Sequence, residues 1–204
     1  AYAPNPAFVQ LVKRAAALTE AARNRPIARL SQGASRRAQA PFGDSPLGNL
    51  VADAQLAYAQ KRGTADIALT NSGGIRADLV VDSERWVAFS EVFAIQPFGN
   101  DLVAITLSGA QLKQLLERQL PKRAGATSTQ VSHTLRYSWA ATEGQEPHMV
   151  SITVNNEPLD LQQDYRVVVN SFMADGGGAT GILRQGRDRQ VVGPDVDALV
   201  EWLA

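Results

Sequence analysis

Two phenylalanines stand where they could hold a planar ligand. Phe98 lies in the segment QPFGN and Phe172 in the segment NSFMADGGG, so each is near glycine in a turn. An aromatic ring at a glycine turn can stand clear of its own backbone, and its flat face is suited to stacking on a planar ring. For either phenylalanine alone, burial in a hydrophobic core is the commoner outcome.

Two polar loops could supply the remaining contacts of such a site. One contains adjacent arginines, and the other follows the apolar segment ADIALT as NSGGIR. Guanidinium groups bind anions, and an asparagine amide offers a donor and an acceptor to a base edge or a sugar hydroxyl. The candidates from these loops are Arg36, Arg37, Asn71, Gly73, Gly74 and Arg76. With the two phenylalanines they indicate a small-molecule site, but the pattern alone leaves ordinary packing as an equal alternative.

The glycine run of residues 176–181 matches G-x-G-x-x-G, a pattern that binds dinucleotide phosphates. That pattern belongs at the first strand-to-helix turn of a βαβ unit of about 30 residues. Here the segment ILRQGRDRQ follows, which has no apolar helical stripe. A Walker loop would need Gly-Lys-Ser/Thr, and the sequence contains none. The match is therefore accidental, and the glycines are expected to let the chain turn beneath Phe172.

The composition excludes several classes of partner and chemistry. Lysine plus arginine and aspartate plus glutamate both number 20, so no global field favours nucleic acid or an anionic membrane. The absence of cysteine removes disulfides and thiolate chemistry. His133 and His148 lie in no cluster of ligands, which predicts no metal site in this chain. No apolar run approaches the roughly 20 residues of a membrane span.

The hydrophobic pattern predicts helices and strands in an irregular order around these loops. Helices are predicted over 6–24, from Asp44 or Ser45 as N-cap to Gly63, from Ser108 to 120, and in DVDALVEWLA. Strands are predicted at ADIALT, DLVAITLSG, HTLRYSW, MVSITVNN and YRVVVN, and a mobile loop at 121–130. Because no regular βαβ period emerges, the predicted fold class is α+β, a mixed β-sheet packed with helices.

Four motifs, in this order, resemble the C-terminal domain of the 5′-nucleotidase and UDP-sugar hydrolase family: DSPLGNLVADAQLAY, ALTNSGGIRADL, QPFGN and YRVVVNSFMADGG. The resemblance runs from about Ser31 to the C-terminus, and its specificity comes from the order of all four motifs. It implies that residues 31–204 form a substrate-binding domain. It also implies that residues 1–30 hold a linker helix from an N-terminal metallophosphoesterase domain, and that the protein is periplasmic or secreted by a bacterium.

The resemblance implies a role for each residue that matches a family motif. Phe98 and Phe172 match the two phenylalanines that sandwich the nucleotide base. Asn71 matches an asparagine that contacts the base, while Gly73 and Gly74 shape its loop. These five residues would form a base clamp.

On the ribose and phosphate side the match is less complete. Arg76 matches an arginine on that side of the ligand, and Arg37 occupies a region where relatives carry a binding arginine, with Arg36 as its competitor. Relatives have an aspartate that binds the ribose hydroxyls where this chain has Gly178, and some have an arginine where it has Gly43. The loss of that carboxylate should weaken nucleoside affinity or relax substrate choice.

The resemblance implies that the intact protein is a 5′-nucleotidase-type phosphoric monoester hydrolase whose absent N-terminal domain holds two divalent metal ions. This chain would then contain no catalytic residue and no cofactor, and alone it is expected to be inactive. Its expected partners are a nucleotide or related phosphoester and the N-terminal domain of the same polypeptide. Two alternatives remain open: the C-terminal domain of a thiosulfohydrolase-like relative, which needs no base clamp, and a non-enzymatic binding or interaction module.

Overall fold

The computed structural model describes residues 3–37, 43–63, 65–81, 83–84, 86–120, 129–141, 146–178 and 180–204. The helices within these residues are α1 (Pro6–Arg23), α2 (Pro46–Gln60), α3 (Phe89–Ile95), α4 (Gly109–Arg118), α5 (Ser171–Ala174) and α6 (Asp195–Leu203). Short 3₁₀ helices cover Ser72–Gly74 and Gly181–Gln185. The strands are β1 (Pro26–Arg29), β2 (Ile67–Asn71), β3 (Trp86–Ala88), β4 (Asp101–Ser108), β5 (Thr129–Val131), β6 (Leu135–Ala140), β7 (His148–Val154), β8 (Glu157–Pro158), β9 (Asp164–Asn170) and β10 (Arg187–Pro194).

A five-stranded mixed sheet forms the centre of the fold. Its strand order is β10-β4-β9-β2-β5. β2 runs parallel to β9, and the other neighbouring pairs are antiparallel. Two smaller sheets have the orders β1-β3 and β6-β7-β8. This mixed sheet, packed with helices, confirms the predicted α+β class.

Side chains of the central sheet are buried on both of its faces, as alternation along a strand requires. Ile67 and Leu69 of β2 join a core cluster with leucines of α4, including Leu112. Ala68, between them, joins a second cluster with Leu56 of α2 and Ala198 of α6. The sheet is therefore covered by α4 on one side and by α2 and α6 on the other.

The start of α2 is fixed by a side-chain cap. Of the two predicted caps, Ser45 is the one used, because its Oγ accepts a hydrogen bond from the N–H of Gly48 at 2.9 Å. Pro46 follows in the first turn, where its missing N–H costs nothing. The helix ends at Gln60 with Lys61 at the C-cap position, so Gly63, predicted as the terminating glycine, lies two residues beyond the C-cap.

The structure differs from the predicted elements at residues 121–130 and at the strands β1 and β10. Most of the loop predicted at 121–130 lies outside the described residues, but Thr129 and Gln130 belong to β5, where they extend the sheet against β2. The strands β1 and β10 were missed. β10 has charged and exposed residues because it is an edge strand that pairs only with β4 in the central sheet, so its sequence lacks an apolar stripe.

The helix predicted at 6–24 is present as α1, but its apolar face is not covered. None of its described residues is buried. The residues whose helical spacing predicted the helix are all exposed: Phe8, Leu11, Val12, Ala15 and Leu18. Helical periodicity thus correctly predicted the helix without showing what it packs against.

Candidate functional site

The ends of four strands of the central sheet meet at one edge. Because β2 and β9 are parallel, their last residues, Asn71 and Asn170, lie at the same edge. β4 runs the opposite way and begins there, with Leu102 opposite Asn170. β5 also begins there, with Thr129 opposite Asn71. Loops distant in sequence are brought together at this edge.

A cavity of about 550 Å³ opens at this edge. That volume lies within the range of small-molecule sites, about 300–1,000 Å³. Its lining is formed by Asn71, Ser72, Gly73, Gly74, Phe98, Asn100, Gln119, Thr129, Phe172, Gly178 and Thr180. Five of the candidate residues named from the sequence are therefore in one cavity, and the three arginines, Arg36, Arg37 and Arg76, are not in its lining.

Phe98 forms one aromatic part of the lining, in the turn between α3 and β4. Its side chain is 56% exposed, which is unusual for a ring that could have been buried in a core. Gly99 behind it has φ +63°, a backbone conformation that glycine adopts without strain. The guanidinium carbon of Arg76 lies 5.9 Å from the centroid of the Phe98 ring. Arg76 thus stands beside the cavity rather than in its lining.

Phe172 forms the second aromatic part, on the short helix α5. Asn170 is the N-cap of this helix, and its Oδ1 accepts a hydrogen bond from the N–H of Met173 at 2.9 Å. Met173 is fully buried and anchors the helix, while Phe172 is 50% exposed toward the cavity. The glycine loop lies under the ring, because a Cβ at Gly177 would overlap its atoms. Both phenylalanines are thus about half exposed in the lining of the same cavity.

The floor of the cavity is the pair of asparagines that end β2 and β9: Asn71 lines the cavity, and the buried Asn170 supports it. Nδ2 of Asn170 donates to Oδ1 of Asn71 at 2.9 Å. Asn170 is 2% exposed, so this bond is protected from water. A Cβ at Gly74 would come within 3.1 Å of Asn71 Oδ1, and one at Gly73 within 3.4 Å of its Nδ2. Glycine at position 74 therefore leaves space for the Asn71 amide, whereas a Cβ at position 73 would make only an ordinary van der Waals contact with it.

Two backbone donors of the glycine loop after Phe172 are already used within the loop. The N–H of Gly176 donates to the carbonyl of Met173 at 2.8 Å, and that of Gly177 to the carbonyl of Phe172 at 2.9 Å. Nε of Arg184, which follows the loop, donates to the carbonyl of Asp175 at 2.6 Å. These groups are used within the loop, which agrees with the rejection of a dinucleotide fingerprint.

The arginine loop lies apart from the cavity lining. The N–H of Arg36 donates to Oδ1 of Asp78 at 2.6 Å, and that of Arg37 to Oγ of Ser35 at 3.2 Å. The Arg36 backbone hydrogen bond is the largest of the effects that lower the pKa of Asp78. Both arginine side chains are exposed, and within the described residues neither lines the cavity.

Five polar lining residues were not predicted as site residues: Ser72, Asn100, Gln119, Thr129 and Thr180. Asn100 is the last residue of the motif QPFGN, and its position two residues after Phe98 could have identified it. Thr180 is buried, and its Oγ1 donates to the carbonyl of Met173 at 2.9 Å, so it holds the loop closed. Thr129 reaches the cavity through the pairing of β5 with β2, and Gln119 reaches it as the C-cap residue of α4. No local motif indicates either residue.

Neither a metal cluster nor a membrane helix is found in the parts of the chain that the structure describes. No group of three or more histidine, cysteine, aspartate or glutamate side chains there is arranged to hold a metal ion. His133 instead lies 2.9 Å from Oδ1 of Asp53 through its Nδ1. None of the described helices has the length and apolar character needed to cross a membrane.

Comparison with known proteins assigns the chain to a family. Residues 26–184 match the model of the 5′-nucleotidase C-terminal domain, and the chain belongs to that family. Among curated proteins it is 30% identical over 167 residues to the cell wall protein Lmo0130 of Listeria monocytogenes (78% of this chain, 21% of the relative). It is also 30% identical over 156 residues to the NAD 5′-nucleotidase of Haemophilus influenzae (71% and 25%).

A solved structure agrees with this assignment over nearly the whole chain. The crystal structure of the 5′-nucleotidase precursor from Thermus thermophilus superposes with a TM-score of 0.78 at 30% identity. The alignment covers 98% of this chain and 41% of that one. The chain thus spans less than half the length of the relatives described here. These findings confirm the family resemblance carried by the four sequence motifs.

Proposed function

We propose that this chain is the substrate-binding domain of a 5′-nucleotidase-type phosphohydrolase and that it clamps a nucleotide base between Phe98 and Phe172. The observation that carries the proposal is that two half-exposed phenylalanines line one cavity with a polar floor. Half-exposed rings leave apolar area that a planar base would cover. Asn71 and its neighbours would contact the edge of that base.

The phosphate side of the ligand would lie toward Arg76. Its guanidinium is exposed beside Phe98, and its Nη1 donates to the carbonyl of Gly73 at 3.3 Å. Arginine keeps its charge at every physiological pH and suits phosphate recognition. Arg37, which is exposed on its own loop, would reach the ligand only from outside the cavity lining.

In the intact protein the bound phosphoester would be presented to a two-metal site on an N-terminal metallophosphoesterase domain. Water activated by those metals would release phosphate. In this arrangement residues 1–30 contain the linker and residues 31–204 the binding domain. The start of the family match at residue 26, just after α1, supports such a division. A periplasmic or secreted location is supported by the relative that is described as a cell wall protein.

The base clamp is tested by titrating the chain with adenosine, AMP and UMP while following amide chemical shifts. We expect saturable binding that is lost in Phe98→Ala and in Phe172→Ala. Phe93→Ala is the matched control, because Phe93 is also a half-exposed ring but stacks on Phe89 away from the cavity. Equal loss of binding in the control, or no binding at millimolar ligand, would contradict the clamp.

A phosphatase assay of the isolated chain with added divalent metal separates binding from catalysis. We expect no turnover, since the catalytic machinery is assigned to another domain. Robust hydrolysis would show that this assignment is wrong.

One specific feature favours the thiosulfohydrolase-like alternative. Gly178 lines the cavity where a ribose-binding carboxylate is expected, and it leaves that position without an acid. Retention of both phenylalanines argues the other way, because such a relative needs no base clamp. The adenosine titration distinguishes the two functions.

A further inference from the structure

Asn100 connects the two aromatic parts of the cavity. It lies in the lining, two residues after Phe98. Its Oδ1 accepts a hydrogen bond at 3.2 Å from Oγ of Ser171, the residue before Phe172. A polar side chain at this junction can contact the edge of any ring that the two phenylalanines hold.

Asp195 holds Asn100 from the opposite side. It is the first residue of α6 and is 1% exposed, and it lies beyond the range of the family match. Its backbone N–H donates to the carbonyl of Asn100 at 2.9 Å. Its Oδ2 accepts from Nδ2 of Asn100 at 3.4 Å. Two bonds therefore join the same pair of residues.

These contacts use half of the hydrogen-bonding capacity of the Asn100 amide. A primary amide has two N–H donors and a carbonyl with two lone pairs. One N–H is directed to Asp195, and one lone pair is occupied by Ser171. One donor and one acceptor remain for a ligand. A carboxylate can only accept, so an ionised Asp195 determines which end of the amide is the nitrogen.

We propose that Asp195 is a positioning residue of the binding site, which fixes the orientation of the Asn100 amide and so determines where the cavity presents its donor and its acceptor. This inference rests on the proposed function, because it treats the cavity as a site for a base. Asp195 itself does not line the cavity, and its effect on the ligand would act through Asn100.

The hydrogen bond between Asp195 and Asn100 makes the orientation of the Asn100 amide depend on pH. Burial has the largest effect on Asp195 and raises its pKa to about 6. The Asn100 hydrogen bond and backbone N–H groups, including that of Val196, act to lower this pKa, and the nearby Asp101 carboxylate acts to raise it. A protonated Asp195 can donate to Oδ1 of Asn100 as well as accept, so the amide is no longer held in one orientation. Affinity should therefore be higher above pH 6 than below it.

The other charged groups on elements that pack against α6 have partners of their own. Lys61 and Arg62, after α2, pair with Glu201 near the other end of α6. Glu91 of α3 accepts from the N–H of Ala88. The remaining contacts are those of Arg29 of β1 with the Glu84 carbonyl, Arg187 of β10 with Asp164 and with the neighbouring Asp188, Arg189 of β10 with Asp175, and Asp53 of α2 with His133.

Adenosine is the probe for the test. It has no phosphate, whose second ionisation near pH 6 would obscure the effect. Its dissociation constant is measured by amide chemical shifts between pH 4.5 and 8 for the unsubstituted chain, for Asp195→Asn and for Asp197→Asn. Asparagine at 195 matches the shape of aspartate but can donate or accept toward Asn100. Asp197 is the matched control, since it lies in the same first turn of α6 and is exposed.

We expect the unsubstituted chain and Asp197→Asn to bind about two- to tenfold more tightly at pH 8 than at pH 4.5, the range that one net hydrogen bond provides. Asp195→Asn should bind weakly at every pH, and the side-chain amide signals of Asn100 should lose their titration. A pH profile that survives in Asp195→Asn, or binding without any pH dependence in the unsubstituted chain, would overturn the positioning role alone. An absence of adenosine binding at every pH would overturn the proposed function and this inference together.

Discussion

The cavity and α1 both expose apolar side chains, but only the cavity has the form of a binding site. The rings of Phe98 and Phe172 line a concave space with an asparagine floor. The apolar face of α1, which includes Phe8 and Leu11, carries no comparable set of buried polar groups, since none of the described residues of α1 is buried. Exposed apolar area alone does not define a ligand site; hydrogen-bonding groups with fixed directions, set among the apolar ones, are also needed.

The largest effect on stability and binding is expected from a substitution in the floor of the cavity. Asn170→Ala removes the cap of α5 and the partner of the Asn71 amide. A lost cap costs about 1 kcal/mol, and a polar group left without its partner costs about 1–3 kcal/mol. We expect chemical denaturation to show a free energy of unfolding lower by about 2–4 kcal/mol. Adenosine binding should be lost as well.

Asn5→Ala is the matched control for that prediction. Asn5 caps α1 through a bond from the N–H of Ala7 at 2.9 Å, but it is exposed and α1 is not packed into the core. We expect a small loss of unfolding free energy in Asn5→Ala and a large loss in Asn170→Ala. Equal stabilities for the two variants would show that the floor is not structural.

The aromatic residues of the two regions should differ in binding rather than in stability. Stacking of a base on an aromatic ring contributes about 1–3 kcal/mol by alanine substitution, so Phe172→Ala should weaken adenosine binding by roughly 5- to 150-fold. Phe8→Ala on α1 should leave affinity unchanged. Because both rings are at least half exposed, neither substitution should change the melting temperature much. Calorimetric titration measures the adenosine affinity of both variants, and thermal melts measure their stability. A loss of adenosine affinity in Phe8→Ala would contradict the predicted difference between the cavity and α1.

Gly178→Asp should increase the affinity of the cavity for a nucleoside, because it adds a carboxylate that can accept hydrogen bonds from the ribose hydroxyls. A hydrogen bond to a charged group contributes about 1.5–3 kcal/mol, while a non-glycine residue at φ +64° costs about 1 kcal/mol. We expect about tenfold tighter binding of adenosine and no gain for the free base adenine. Gly178→Asn is the control without a charge. An equal gain for adenine would show that the carboxylate does not contact the sugar.

The smallest effect is expected on α1. Leu11→Ser should change the free energy of unfolding of this chain by less than about 0.5 kcal/mol, because Leu11 is exposed. Leu112→Ala, at a fully buried position of α4, should cost about 2–5 kcal/mol in the same denaturation experiment. A large loss in Leu11→Ser would mean that α1 is packed in solution.

The sequence predicted the elements with strong local patterns and the residues with strong local motifs. Ser108 caps α4 as expected, and the β-branched run YRVVVN forms the end of β9. Phe98, Phe172 and Asn71 were named from their turns, and the structure places all three in one cavity. Local turn chemistry was sufficient for these residues because each motif combines glycine with one functional side chain.

Features that depend on tertiary pairing could not be predicted in this way. Thr129 reaches the cavity because β5 pairs with β2, and Asp195 reaches Asn100 because α6 returns to the start of β4. Neither residue belongs to a recognisable motif. The exposed face of α1 is the converse case, since its periodicity is the same as that of a packed helix.

The glycine under Phe172 has a consequence for the entropy of binding. The ring rests against Gly177, where a Cβ would overlap its atoms. Phe172 is therefore partly confined before a ligand arrives and loses little rotamer freedom on binding. In the proposed clamp Phe172 is thus a preorganised surface, and the conformational entropy lost in ordering it on binding is small.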